Sequence, residues 1–154
     1  MIYQKILSNY LERDPNILFY NDCKNKYYWN EASDYISYLI SVYLIKIKNK
    51  NQELFITSKK SFETYCLIMA SYLIGIPYTP IDYRDRVKIS NLDNNCVLFS
   101  KIEYDFCLFI KLDYNDFKSN QNLEKKFFYN IENIYKFNFE NNVYKMTSSG
   151  TTGE

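Results

Sequence analysis

The fold follows most directly from the stretch Ser61-Phe-Glu-Thr-Tyr-Cys-Leu-Ile-Met-Ala-Ser-Tyr-Leu-Ile-Gly75, which continues as Ile-Pro-Tyr-Thr-Pro-Ile-Asp82. Ser61 is a favoured helix N-cap residue, and Gly75 suits the left-handed position just past a helix end. The run between them is apolar on nearly every side, which predicts a core helix over residues 62–74. The two prolines that follow keep the next segment out of a helix, so it is predicted to be extended.

Upstream of this helix, the sequence predicts a helix, a hairpin, a second helix and a strand. The apolar-aromatic runs 17–20 and 26–29 flank a polar turn, as in a β-hairpin. Asn30 is predicted to cap a helix over residues 31–45, and residues 53–57 are predicted to form a short strand. The apolar stripe of the first helix, over residues 2–12, comprises Tyr3, Ile6, Leu7, Tyr10 and Leu11. The buried face of the second helix is predicted to comprise Ala32, Tyr35, Ile36, Leu39 and Tyr43.

Downstream, strands and helices continue to alternate. Asp85 is predicted to cap a short helix that ends near Leu92, and residues 95–100 and 106–112 are predicted to be strands. A helix is predicted early in 113–142, and strands are predicted near 135–139 and over 143–146. This alternation predicts an α/β fold with a mostly parallel sheet and flanking helices. Ligands of such sheets bind beyond the carboxyl ends of the strands.

Composition excludes several classes of function. The 154 residues suit a single domain, and the net charge of +1 favours neither nucleic acid nor an anionic membrane as a partner. Histidine is absent, which excludes a Ser-His-Asp triad, a Cys-His pair and a Cys/His zinc site. No apolar run is long enough to span a bilayer and the N-terminus lacks the shape of a signal peptide, so we expect a cytoplasmic protein. Three of the four cysteines lie in apolar runs and are predicted to be buried thiols: Cys66, Cys96 and Cys107.

The last ten residues, Lys145-Met-Thr-Ser-Ser-Gly-Thr-Thr-Gly-Glu154, form a loop rich in hydroxyl groups after an apolar segment. Two of the three glycines of the chain lie here. Hydroxyls and bare backbone amides are suited to wrap a phosphate chain, because glycine allows the backbone to approach the anion closely. The spacing differs from that of a Walker A loop, which requires a lysine after its second glycine. The predicted phosphate-binding residues are Thr147, Ser148, Ser149, Gly150, Thr151, Thr152 and Gly153.

This motif resembles the phosphate-binding signature of the adenylate-forming enzymes, which include acyl-CoA synthetases, luciferases and peptide-synthetase adenylation domains. Residues 28–31 resemble an early T-Y-x-E-L element of that family, and residues 73–82 resemble its L-K-A-G-A-A-Y-V-P-L-D-P stretch. In the second stretch Pro80 and Asp82 match, whereas Tyr83 replaces the closing proline. The resemblance implies that residues 1–154 are the first portion of the large N-terminal domain of such an enzyme.

The resemblance also implies a reaction and its ligands. Family members use ATP and Mg²⁺ to convert a carboxylic acid into an acyl-adenylate, and then transfer the acyl group to a thiol or an amine. The phosphate loop would surround the β- and γ-phosphates of ATP. The family's carboxylate pocket, adenine contacts, metal-binding acid and catalytic lysine lie in later segments, and no residue here matches them. We therefore assign no catalytic and no metal-binding residue.

Two hypotheses about activity remain open at this stage. The family signature continues with Pro, Lys and Gly, whereas the sequence stops at Glu154. A terminal carboxylate and the Glu154 side chain would oppose bound phosphates by about 1 kcal/mol each near a surface. We therefore expect an inactive part of a ligase. The alternative is a non-enzymatic interaction module, or one part of a split ligase completed in trans, for which exposed apolar surface would be the mark.

Three further groups of residues are assigned structural roles. The acidic pairs Asp82/Asp85 and Asp113/Asp116 could bind a metal, but their positions are typical of turns and helix caps. The aromatic run 127–139 could stack on single-stranded nucleic acid, but the neutral charge favours packing in a core. Cys66 is not predicted to be a nucleophile, because its helix is predicted to be buried and no base lies near it in sequence.

Overall fold

The structure is a computed structural model that describes residues 12–124, with side chains described over 12–120. The aromatic run 127–139, the strands predicted over 135–139 and 143–146, and nearly all of the helix predicted over 2–12 lie outside the described residues. None of the helices within the described range has the length and apolar character needed to cross a bilayer.

The described residues form a mixed α/β fold. Its strands and helices, in chain order, are β1 (Leu18–Asn21), β2 (Lys26–Tyr28), α1 (Trp29–Leu39), a π-helical turn (Ile40–Leu44), α2 (Ile45–Asn49), β3 (Glu53–Thr57), α3 (Phe62–Ile74), β4 (Tyr78–Ile81), α4 (Arg86–Ser90), β5 (Cys96–Ser100), β6 (Ile110–Lys111) and α5 (Tyr114–Glu124).

Four of the strands form a parallel sheet with the order β4-β3-β5-β6. Strand β3 lies inside it, and Phe55 of β3 is opposite Thr79 of β4 on one side and Leu98 of β5 on the other. Strands β1 and β2 form a separate antiparallel hairpin. The predictions of a mostly parallel sheet with flanking helices and of an N-terminal hairpin are therefore confirmed.

The two faces of the sheet are covered differently. On the first face, Leu54, Ile56 and Phe99 belong to the main core, together with side chains of α1, α3 and the start of α5. On the second face, Ile81 and Leu98 pack with Ile89 of α4 in a smaller cluster. Parallel sheets normally bury both faces. Here Phe55, in the middle of an internal strand, is only half-buried on the second face.

Helix α3 has the predicted limits because both of its ends are set by local chemistry. The Ser61 hydroxyl accepts a hydrogen bond from the Thr64 N–H at 3.1 Å. Gly75 has φ 67° and ψ 39° at the other end, where a side chain would be strained. Most residues of this helix are buried, and the helix forms much of the layer on the first face.

The cap predicted for α1 is wrong. The helix begins at Trp29 instead of after Asn30, because the Glu31 carboxylate accepts the Tyr28 N–H at 2.9 Å and takes the place of an N-cap side chain. The helical segment also continues past the predicted end near residue 45, through the π-helical turn and α2 to Asn49. Of the predicted buried face, Tyr43 is half-buried and the other four side chains are buried.

The strand predicted over 106–112 is much shorter than expected, since only Ile110 and Lys111 pair with β5. Residues 106–109 instead cross the second face of the sheet, where Phe106 and Phe109 pack against the smaller cluster. Leu108 is 99% exposed. The predicted elements β3, β4, β5, α4 and an early helix after residue 113 are confirmed.

Strand β4 tolerates Pro80 because it lies at the edge of the described sheet. The Ser58 N–H donates to the Ile81 carbonyl at 2.9 Å, so the backbone of Ile81 faces β3. Backbone groups of a strand point alternately to its two sides, so those of Pro80 face away from β3. No described strand pairs with β4 there, and the missing N–H of proline breaks no hydrogen bond of the sheet.

Candidate ligand site at the carboxyl edge of the sheet

The predicted phosphate loop, from Thr147 to Gly153, lies outside the described residues and stays a prediction. The described part of the chain does define the edge at which a ligand of this fold would bind. From β3 the chain first adds β4 on one side and then β5 on the other. The order of the strands therefore reverses at β3, and ligands of open α/β sheets bind at the carboxyl ends of the strands beside such a reversal.

Two hydroxyls lie at the carboxyl ends of β3 and β5. The Thr57 hydroxyl donates to the Ser100 hydroxyl at 3.0 Å, and the Ser100 oxygen also accepts the Ile102 N–H at 2.9 Å. Both Thr57 and Ser100 are 0% exposed. A buried hydroxyl without a partner costs free energy, so this pair is stable only because its members satisfy each other.

Tyr104 extends this polar group towards the loop after β4. Its phenol donates to the Tyr83 carbonyl at 2.7 Å. Burial raises the pKa of Tyr104, although the Ser100 hydroxyl acts on the same phenol and opposes the shift. The phenol therefore stays protonated at neutral pH and remains a donor. We call Thr57, Ser100 and Tyr104 the switch-point hydroxyls.

Cationic side chains surround the neighbouring Tyr83 ring. The Lys59 ammonium lies 5.2 Å and the Arg84 guanidinium 5.5 Å from the ring centroid. Arg84 also pairs with Asp82 at 2.8 Å, and its hydrogen bonds lower the pKa of that carboxyl to about 2. Lys59 and Lys60 form no ion pair with any carboxylate in the described range. These two lysines give the edge cationic groups that an anion could use.

The loop between β3 and α3 brings these lysines to the N-terminus of a helix, where backbone amides favour anions. Part of that end is already closed by its own side chains. The Thr64 hydroxyl donates to the Lys59 carbonyl at 2.8 Å, and the Thr64 N–H donates to Ser61. An anion at this helix N-terminus would therefore meet lysine ammonium groups more than free backbone amides.

A buried carboxylate joins three segments beside this loop. Glu63, in the first turn of α3, is 5% exposed. Its Oε1 accepts the Lys101 ammonium at 2.6 Å and the Tyr114 N–H at 3.3 Å. The Tyr114 phenol reaches the Glu31 carboxylate at 3.4 Å. The starts of α1, α3 and α5 are thereby connected through Glu63, Tyr114 and Glu31.

The acidic pairs are turn and cap residues, as predicted. Asp82 accepts the Arg84 N–H at 2.9 Å, and Asp85 caps α4 by accepting the Lys88 N–H at 3.0 Å. Asp113 accepts the Asp116 N–H at 3.1 Å at the start of α5. Among the side chains of residues 12–120, no group of three or more from His, Cys, Asp or Glu could hold a metal ion.

The cysteine predictions are confirmed only for Cys66. It is 0% exposed, and burial raises the pKa of its thiol well above the ordinary value, which removes nucleophilic character at neutral pH. Cys96 and Cys107 are half-buried, and Cys23 is exposed. Apolar neighbours in sequence did not predict burial for Cys96 and Cys107, because they lie at the start of an internal strand and in an irregular segment.

A groove of about 460 Å³ opens at the opposite, amino edge of the sheet. It is lined by the end of α2, the following turn, the start of β3 and the segment between α3 and β4. Lys48 closes one side by donating to the Ile74 carbonyl at 2.9 Å. Its volume would hold a small molecule. The groove lies at the amino edge, whereas the ligand that the phosphate motif predicts would bind at the carboxyl edge of a parallel sheet.

Sequence reasoning missed the switch-point hydroxyls and the lysines. Thr57 and Ser100 are 43 residues apart, and only the order of the strands brings them together. A signal was nevertheless present, because a hydroxyl residue ends each of two apolar strands. Lys59 and Lys60 also follow directly after a strand, which is the position from which parallel sheets present ligand-binding groups.

No family model and no curated protein matches the sequence. One similar solved structure is described as "NpsA-ThdA, an artificially fused Adenylation-PCP di-domain NRPS from Klebsiella oxytoca". It is 15% identical, with a TM-score of 0.43 over 93% of this chain. The chain spans 25% of the length of that structure. A likeness at this level establishes no shared function.

Proposed function

We propose that this chain contributes the phosphate-binding loop and the first part of the nucleotide-binding domain of an adenylate-forming ligase. The observation that carries the proposal is the hydroxyl- and glycine-rich motif from Thr147 to Gly153, which follows the apolar segment Val143 to Met146. The parallel sheet of the described residues supports it, because this fold uses the carboxyl ends of its strands for ligands.

In the proposed reaction, ATP supplies the adenylyl group that activates a carboxylic acid, and pyrophosphate leaves. The loop would hold the β- and γ-phosphates through its backbone amides and hydroxyls, which fits the anionic ligand. Magnesium would balance the charge of the phosphates, but no residue of this chain is assigned to it. The lysines after β3 would add positive potential at the same edge of the sheet.

The test uses the product of the complete reading frame that contains these residues, assayed for ATP–pyrophosphate exchange with a panel of carboxylic acids. We expect exchange that depends on one class of acid, and at least about a tenfold loss in a Ser148→Ala/Ser149→Ala variant, because donors to the phosphates are removed. A matched control is Ser90→Ala/Ser119→Ala. Both control serines are exposed, and their hydroxyls donate within their own helices, to Val87 and Asn115.

Two outcomes would contradict the proposal. The first is an absence of exchange with every acid, in a product that folds and contains the later segments of the family. The second is a Ser148→Ala/Ser149→Ala variant that exchanges pyrophosphate as fast as the control variant.

One observation favours completion of this fold by further polypeptide, in cis or in trans. Phe55 is half-buried in an internal strand, and Val87 and Leu108, on the segments that cover the second face, are 71% and 99% exposed. A split ligase or an interaction module would present such a surface. The coding DNA downstream distinguishes these possibilities: Pro-Lys-Gly and later ligase segments support a ligase, and an unrelated sequence supports an interaction module.

A further inference from the structure

Residues 101–109, which we call the strap, connect β5 to β6 across the second face of the sheet. Within the part of the chain that the structure describes, residues 103–109 make no backbone–backbone hydrogen bond. Regular elements gain cooperativity from such hydrogen bonds, and segments that lack them belong to the less stable parts of a protein. The strap must therefore be held in place by its side chains.

Phe106 and Phe109 of the strap pack against the smaller cluster, and polar and cation–π contacts add to this packing. The Tyr104 phenol donates to the Tyr83 carbonyl at 2.7 Å, and Glu103 pairs with the Lys111 ammonium at 2.6 Å. Arg86 pairs with Asp105 at 3.3 Å and lies 4.5 Å from the centroid of the Phe106 ring. The two ion pairs are largely exposed, and exposed pairs contribute little. Among these polar contacts, only the Tyr104 hydrogen bond is shielded by half-burial of its donor residue.

The strap covers part of the second face of the sheet, which we call the floor. Beneath it lie the fully buried hydroxyls of Thr57 and Ser100 and the apolar side chains of Ile81 and Leu98. The floor belongs to paired strands β3, β4 and β5, so it would keep its shape without the strap. Ile102 marks the boundary, because its N–H donates to the Ser100 hydroxyl at 2.9 Å.

We propose that the strap opens as a unit while the sheet stays folded, and that opening uncovers the hydroxyls of Thr57 and Ser100 at the carboxyl edge. The Tyr104 hydrogen bond must break for this movement, because it connects the strap to the loop after β4. Closing the strap would fix Tyr83, whose ring contacts Lys59 and Arg84, and would bury the two hydroxyls. The inference does not depend on which ligand the carboxyl edge binds.

Amide hydrogen exchange measured by NMR tests the proposal on two reporter amides. The Ile102 amide exchanges when its bond to Ser100 breaks, so it reports detachment of the first end of the strap. The Ala70 amide lies inside the buried helix α3 and reports global unfolding. We expect Ile102 to exchange much faster than Ala70, and its exchange to be insensitive to low urea, because local opening exposes little surface.

Three variants distinguish local opening of the strap from global unfolding. Tyr104→Phe removes the hydrogen bond to the Tyr83 carbonyl together with the contact between the phenol and the Ser100 hydroxyl, and is expected to accelerate Ile102 exchange about fivefold. Gly75→Ala strains the end of α3 and is expected to accelerate Ala70 exchange while Ile102 exchange is unchanged. Tyr65→Phe, at a tyrosine that is 40% exposed, should change neither amide. The proposal is overturned if Gly75→Ala accelerates both amides equally, or if Tyr104→Phe leaves Ile102 exchange unchanged.

Discussion

Ser100 shows how a single side chain connects the two strands at which the strand order reverses. It accepts a hydrogen bond from the hydroxyl of Thr57 and another from the N–H of Ile102, and it is fully buried. At the residue scale the carboxyl edge therefore depends on one oxygen atom that satisfies two donors. The Thr57 hydroxyl is fully buried, so loss of that oxygen would leave a buried donor without a partner.

Substitution of the two hydroxyls should have unequal effects on stability. Ser100→Ala leaves both the Thr57 hydroxyl and the Ile102 N–H without an acceptor, and should lower the free energy of unfolding by about 2–3 kcal/mol. Thr57→Val replaces the donor by a methyl group of similar size and leaves the Ile102 bond intact, so about 1 kcal/mol is expected. Urea unfolding measures both; a Thr57→Val effect as large as that of Ser100→Ala would contradict the hydrogen-bond assignment.

At the scale of elements, the starts of α3 and α5 and the end of β5 meet at Glu63. The Glu63 side chain is 6% exposed and that of Lys101 is 35% exposed. Only one partner of this ion pair can therefore be solvated when the other is removed. Lys101 can turn towards water if its partner is removed, whereas the carboxylate of Glu63 cannot leave the space beside Tyr114.

The ion pair should consequently be asymmetric to substitution. Lys101→Met leaves a buried carboxylate with the Tyr114 N–H as its remaining donor, and should destabilise the protein by about 3 kcal/mol. Glu63→Gln keeps an acceptor for Tyr114 and releases Lys101 to solvent, so about 1 kcal/mol is expected. Thermal unfolding of both variants tests this. Equal losses would show that the carboxylate is less buried than the structure indicates.

Elements with strong local signals could be predicted from sequence alone. Helix α3 has the predicted limits because Ser61 and Gly75 fix its ends locally. The predicted start of α1 is wrong, because the Glu31 side chain caps the helix from inside its first turn. Strand β6 is short because the strap packs on the second face instead of extending the sheet, which depends on contacts with Ile81 and Leu98 that local sequence does not encode.

At the scale of the whole molecule, the order of the strands decides where a ligand can bind. The sequence predicts a parallel sheet, but not that β4 and β5 lie on opposite sides of β3. That arrangement brings Thr57, Ser100, Tyr104 and the lysines after β3 to one edge. The sequence also predicts a phosphate-binding motif over residues 147–153, which lie outside the described residues, and its position relative to this edge is the central claim of the proposed function.

Hydrogen–deuterium exchange of the complete reading-frame product, with and without Mg-ATP, tests that claim most directly. We expect Mg-ATP to protect residues 147–153 together with the carboxyl-edge loops 58–61 and 82–84. Protection confined to the amino-edge groove, at residues 47–54 and 75–79, would contradict it, as would the absence of protection in residues 147–153.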